Sequence, residues 1–181
     1  MTQLLNIISI VISVAIFVWY RQLVIRRFGI QSSYSHSYTL FDIGGKPKTF
    51  VIPFVKVFHW TGISEQSYYT IFMWGISIPI MIVTQTIWGF LAGAFLCIDG
   101  AARTGSGDPL TQLLHNWGAK IGILLGMVML VAFSWWYLIP VGLYAIFVLV
   151  AANNLNNSTW WIEEVAFVII VISLLIEKVI L

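Results

Sequence analysis

The sequence predicts an all-α integral membrane protein, a bundle of about six transmembrane helices forming a single domain over residues 1–181. Its first loop is cytoplasmic and contains an interfacial or re-entrant segment. Three observations lead there. Of 181 residues 60% are hydrophobic and only 9% charged, with a mean hydropathy of +0.93, against ~25% charged in soluble domains. The apolar residues fall into runs near the length that crosses a bilayer, separated by short polar breaks. Many of the 9 Trp, 7 Tyr and 12 Phe stand at the ends of those runs, where amphipathic rings favour the headgroup level.

The first run, residues 4–20, is the shortest stretch that still spans a hydrocarbon core at ~1.5 Å rise per residue. Met1-Thr2-Gln3 precedes it without a basic residue, and Arg21, Arg26 and Arg27 follow. A cleaved secretory signal has the opposite polarity, so the run is expected to be a retained anchor with its N-terminus outside the cytoplasm. Residues 21–68 form the long polar loop, and Lys46, Lys48 and Lys56 place it inside by the positive-inside rule. Within it, residues 43–47 (IGGKP) signal a turn. Residues 49–60 are apolar but broken by Pro53 and Lys56, too short to span, and suited to an interfacial or re-entrant path.

Five further spans are expected at residues 69–83, 87–102, 113–135, 137–152 and 160–176. Thr84-Gln85-Thr86 is the only polar break between the second and third spans. Because both flanking pieces are short, a tight helical hairpin fits better than one overlong helix, which would give five spans.

The net charge is +2, and no basic block is long enough to follow a row of phosphates, which sets a nucleic-acid partner aside. The expected surroundings are the lipid bilayer of a bacterial cytoplasmic membrane. Cys97 is the single cysteine, so neither an intrachain disulfide nor a cysteine metal cluster is available.

Gly118, Gly122 and Gly126 recur every four residues, as do Gly89 and Gly93, giving helix faces on which backbones approach closely. Packing inside the bundle is the first reading of these stripes, and a homo-oligomer contact is the second. His115 lies three residues before Gly118, on the same stripe, and should face protein.

Asp99, His115, Lys120, Glu163 and Glu164 are the ionisable residues within or just inside the spans, and the expected topology puts all five in the cytoplasmic half. A charge at bilayer depth costs ~3 kcal/mol or more unless paired or hydrated. These side chains are therefore expected to face one another as a binding pocket, with Lys120 as counter-ion for Asp99 or a glutamate. Asp99, His115 and Glu163 are suitable zinc ligands by type, although their spacing matches no diagnostic metal motif. Ser32 and His36, and Ser64 and Glu65, belong to two Ser/Tyr-rich segments of the long loop. They offer hydroxyls and an imidazole at the membrane surface, but no nucleophile elbow surrounds them.

Residues 33–38 (SYSHSY), 90–102 (FLAGAFLCIDGAA), His115 and 160–167 (WWIEEVAF) together resemble a family of small polytopic membrane proteins of Bacteroidetes and their phages. The resemblance covers most of the chain after the first span. That family is distantly similar to the alkaline ceramidase and progestin/adipoQ receptor superfamily, membrane hydrolases with a Ser, an Asp and three His around zinc. On that likeness Ser32, His36 and Asp99 echo part of the site, while the last helix carries Glu163 and Glu164 where the superfamily has paired histidines.

Three functions fit these residues. The first is a non-enzymatic multi-pass protein whose charged cytoplasmic-side pocket binds a lipid headgroup, an ion or a partner protein. The second is a metal-dependent lipid hydrolase using Asp99, His115 and Glu163 or Glu164. The third is a subunit of a homo-oligomeric pore or transporter that meets its copies along the glycine stripe.

Overall fold

The computed structural model describes residues 2–36, 67–102 and 108–180. The described residues are helical apart from short connections, with no strand among them. Six helices run in order: α1 (Thr2–Phe28), α2 (Ser67–Thr84), α3 (Ile87–Ala101), α4 (Pro109–Phe133), α5 (Leu138–Asn154) and α6 (Ser158–Leu175). A 3₁₀ turn, Trp135–Tyr137, leads into α5, and a π turn, Ile176–Ile180, follows α6. Five of the helices are long and apolar enough to cross a membrane; α3, at 15 residues, is the short one. Its length of ~22 Å at 1.5 Å per residue falls short of a full hydrocarbon core.

The polar break after α2 is a real stop. Gln85 has φ 51°, a left-handed conformation that ends a helix. The Thr86 hydroxyl then accepts the Gly89 N–H at 3.1 Å, capping α3. At the start of α4, Asp108 caps through Thr111 N–H at 2.7 Å, and Pro109 occupies the first turn, where its missing N–H costs nothing. Several boundaries differ from the sequence expectation: α4, for one, begins at Pro109 rather than at residue 113. Helix α1 continues past Tyr20 through Arg21, Arg26 and Arg27 to Phe28, because a helix satisfies its own backbone whatever its side chains carry. Trp135 lies in the 3₁₀ turn rather than in the preceding helix.

Each helix reverses direction relative to the one before it from α2 onward. One end of the bundle therefore gathers the end of α1, the starts of α2, α4 and α6, and the ends of α3 and α5. The large aromatic core lies there: Tyr20, Tyr34, Tyr68, Tyr69, Phe72, Trp160 and Phe167 are all buried. Away from it the outward surface is apolar. Leu4, Val11, Trp135, Leu143 and Leu149 are among the large exposed hydrophobics, and α5 buries only Ala151.

Small residues let α2, α3 and α4 pack closely. A Cβ added at Gly93 would lie 2.4 Å from Met81 Cγ and 2.6 Å from the Ser77 carbonyl oxygen. At Gly89 it would strike the Thr84 side chain. Along α4, a Cβ would meet Asp99 N and Phe95 O at Gly118, Leu96 at Gly122, and Ile170 of α6 at Gly126. Both stripes are thus occupied within the chain. A Gly93→Val substitution must push α2 off α3, because the Ser77 carbonyl is backbone and cannot swing aside. The expected loss is about 2 kcal/mol of unfolding free energy in mixed micelles. Gly142, with nothing within 4 Å of an added Cβ, is the control: Gly142→Ala should be neutral or slightly stabilising. Equal behaviour of the two variants would refute the packing account.

Ser64, Glu65, the 43–47 turn, the 49–60 segment, Lys46, Lys48, Lys56 and Arg103 lie outside the described residues.

Candidate functional site

The close α3–α4 contact at Gly118 brings His115, one turn earlier, against Asp99. Asp99 is fully buried. Its Oδ2 accepts the Tyr69 hydroxyl at 2.5 Å, and its Oδ1 lies 2.7 Å from His115 Nδ1. Among the described residues no donor reaches Oδ1 in hydrogen-bond alignment, so the attraction there is that of opposite charges when the imidazole is protonated. His115 Nδ1 also sits 3.4 Å from the Asp99 carbonyl oxygen, and the Tyr69 ring packs edge-on to the imidazole at 6.1 Å. A carboxylate this fully buried needs such partners, since desolvating an isolated one is prohibitive.

Glu163 and Glu164 are adjacent on α6 and therefore point ~100° apart. Glu164 turns toward α1: Oε1 is 2.5 Å from Arg21 Nε, and Oε2 accepts the Tyr34 hydroxyl and Trp160 Nε1–H, each at 3.0 Å. Glu163 takes the Tyr34 backbone N–H on Oε2 at 2.8 Å, and its other oxygen has no hydrogen bond among the described residues.

Both glutamates hold one loop in place. After α1 stops at Gly29, whose φ of 80° suits a residue without Cβ, residues 30–36 fold back onto the start of α6. There the Ser32 carbonyl accepts Trp160 N–H at 3.1 Å and the Ile30 carbonyl accepts Asn157 Nδ2–H at 3.3 Å. Tyr34 stacks on Trp160 with ring centroids 3.9 Å apart and on Phe72 at 5.3 Å. Burial, reinforced by the Glu164 carboxylate, raises the pKa of its phenol above the ordinary value, so the hydroxyl stays a donor.

Beside these groups lies a cavity of about 320 Å³. His115, Asn116, Ala119, Lys120 and Ile123 line it from one face of α4; Ser33 and Ser35 come from the loop, and Thr159, Ile162 and Glu163 from α6. The hydroxyls of Ser33 and Ser35 are 3.0 Å apart. His115, Lys120 and Glu163 thus share one cavity, with Asp99 behind His115 and Glu164 facing the other way.

One expectation is corrected. Lys120 forms no ion pair with Asp99 or a glutamate among the described residues; its ammonium lies 5.7 Å from the centre of the Trp117 ring, while His115 and Arg21 are the partners of Asp99 and Glu164. Ser32 and His36 are exposed, and the alternate residues Ser33 and Ser35 line the cavity. Among the described residues no three His, Cys, Asp or Glu side chains converge so as to hold a metal ion.

Sequence reasoning missed Arg21, Tyr34 and Tyr69. Arg21 read as the first loop residue, and the two tyrosines read as interface aromatics. No protein-family model matches the chain, nor does any curated protein or solved structure.

Proposed function

We propose that this chain is a multi-pass membrane protein whose intramembrane polar pocket binds a lipid headgroup on the cytoplasmic side. The observation that carries the reading is the single cavity lined by His115, Lys120 and Glu163 and by the hydroxyls of Ser33, Ser35 and Thr159, set among helices with an apolar exterior. Charged side chains at such depth mark binding sites by default, because they are costly to keep for packing alone. Arg21, Arg26 and Arg27 at the same end of the bundle support a cytoplasmic orientation. A headgroup fits better than an ion: the cavity presents both signs of charge and several hydroxyls rather than a convergent set of donors.

Native mass spectrometry of protein extracted in mild detergent tests this. Wild-type protein should retain phospholipid, and a Lys120→Gln/Glu163→Gln variant should retain at least about tenfold less, since one lost charge-assisted hydrogen bond already costs that much. Equal retention by the two proteins would overturn the proposal.

A further inference from the structure

The polar cavity adjoins a second, apolar space. A groove of about 490 Å³ lies between α4 and α5, lined by Leu124, Met127, Val141, Ala145 and Val148, among others. Lys120, Ile123 and Ile162 line both spaces. The groove exists because α5 packs chiefly on α6, where Tyr144 Oη–H donates to the Ile162 carbonyl at 3.3 Å, and touches α4 little. From Lys120 to Met127 it follows α4 for ~10 Å at 1.5 Å per residue. That path leads away from the loops, toward the middle of the bundle.

We infer that cavity and groove together form the site of one membrane lipid with a zwitterionic aminophosphate headgroup, an acyl chain of which lies between α4 and α5. The inference rests on the headgroup reading above and adds the lipid class and the lateral route. In a bilayer, hydrocarbon fills such a groove in any case, so the question is whose chain it is. The order of groups along α4 and α6 answers it. A lipid presents chain, then phosphate, then ammonium. The site presents apolar groove, then Lys120 at the junction, then Glu163 in the cavity beyond. Lys120 lacks a carboxylate partner and one Glu163 oxygen lacks a donor among the described residues. A phosphate on the first and an ammonium on the second satisfy both charges at once. The polar end also lies at the loop end of the bundle, where a lipid of that leaflet carries its headgroup.

Binding of didecanoyl phosphatidylethanolamine, didecanoyl phosphatidylglycerol and chain-free glycerophosphoethanolamine to the full-length protein in detergent separates the claims. Lys120→Gln should weaken phosphatidylethanolamine and glycerophosphoethanolamine alike, by about tenfold. Glu163→Gln should remove the preference for phosphatidylethanolamine over phosphatidylglycerol. Ala145→Trp fills the groove from an exposed position. It should weaken the lipid about tenfold, as a misfit in an apolar pocket does, and leave glycerophosphoethanolamine binding unchanged. If Ala145→Trp leaves lipid binding intact while Lys120→Gln does not, the chain assignment falls and the pocket survives. Loss of both ligands in Ala145→Trp also overturns the chain assignment, since the effect then lies in the pocket. Indifference of both ligands to Lys120→Gln and Glu163→Gln removes the headgroup reading itself.

Discussion

Glu164→Ala is expected to destabilise the bundle by about 3 kcal/mol, the lower end of the range for removing one partner of a buried ion pair. The lower end applies because the Arg21 side chain is 29% exposed and keeps some hydration, whereas that of Glu164 is 12% exposed. The loss is nevertheless large for a single carboxylate, because three donors from three segments converge on it: Arg21 of α1, Tyr34 of the loop and Trp160 of α6 itself. Glu164→Gln keeps an acceptor for Tyr34 and Trp160 while removing the charge, and should lie between wild type and Glu164→Ala. Reversible unfolding in mixed micelles gives the values, and a cycle with Arg21→Ala isolates the pair. Additive single losses would mean that Arg21 and Glu164 do not act as a unit. A Glu164→Ala loss under about 0.5 kcal/mol, the range of ordinary surface substitutions, would refute the hub.

The helices were legible because a span is set by rise per residue and hydrocarbon thickness, quantities that a run of apolar residues displays directly. The same holds for the stop at Thr84-Gln85-Thr86, whose polar residues cap locally. Where α1 would end was not legible. Arginines at 21, 26 and 27 look like loop residues, yet the chain stays helical through them, and Arg21 meets a carboxylate 143 positions further on, a partner that no local pattern records. The candidate site divides in the same way. That lone ions avoid hydrocarbon predicts a meeting of Asp99, His115, Lys120 and Glu163; in the fold His115 lies against Asp99, and His115, Lys120 and Glu163 line one cavity. Which carboxylate meets which cation depends on helix rotation and on the loop after α1. Adjacent glutamates read as one feature in the sequence and face different neighbours in the bundle. Tyr34 and Tyr69 were hidden for a related reason: an aromatic with a hydroxyl suits a membrane interface and a buried hydrogen bond equally well.

Asp99 should be the second sensitive position. Asp99→Ala strands the His115 imidazole and the Tyr69 hydroxyl together in a site with almost no solvent, and the expected loss is about 3–4 kcal/mol. Asp99→Asn keeps an acceptor for the Tyr69 hydroxyl and gives up the charge, so its loss should be about 1–2 kcal/mol. The decisive variant removes both partners. With His115→Leu added to Asp99→Ala, no imidazole is left seeking a proton acceptor, and the double variant should be more stable than the sum of the single losses by about 1 kcal/mol or more. Stability in mixed micelles, measured for the four proteins under one set of conditions, yields that coupling. If the losses simply add, His115 and Asp99 are neighbours brought together by the glycine contact at 118, and the imidazole owes nothing to the carboxylate. If they couple, the pair fixes the wall of the cavity, and the orientation His115 presents there is set by Asp99 from behind.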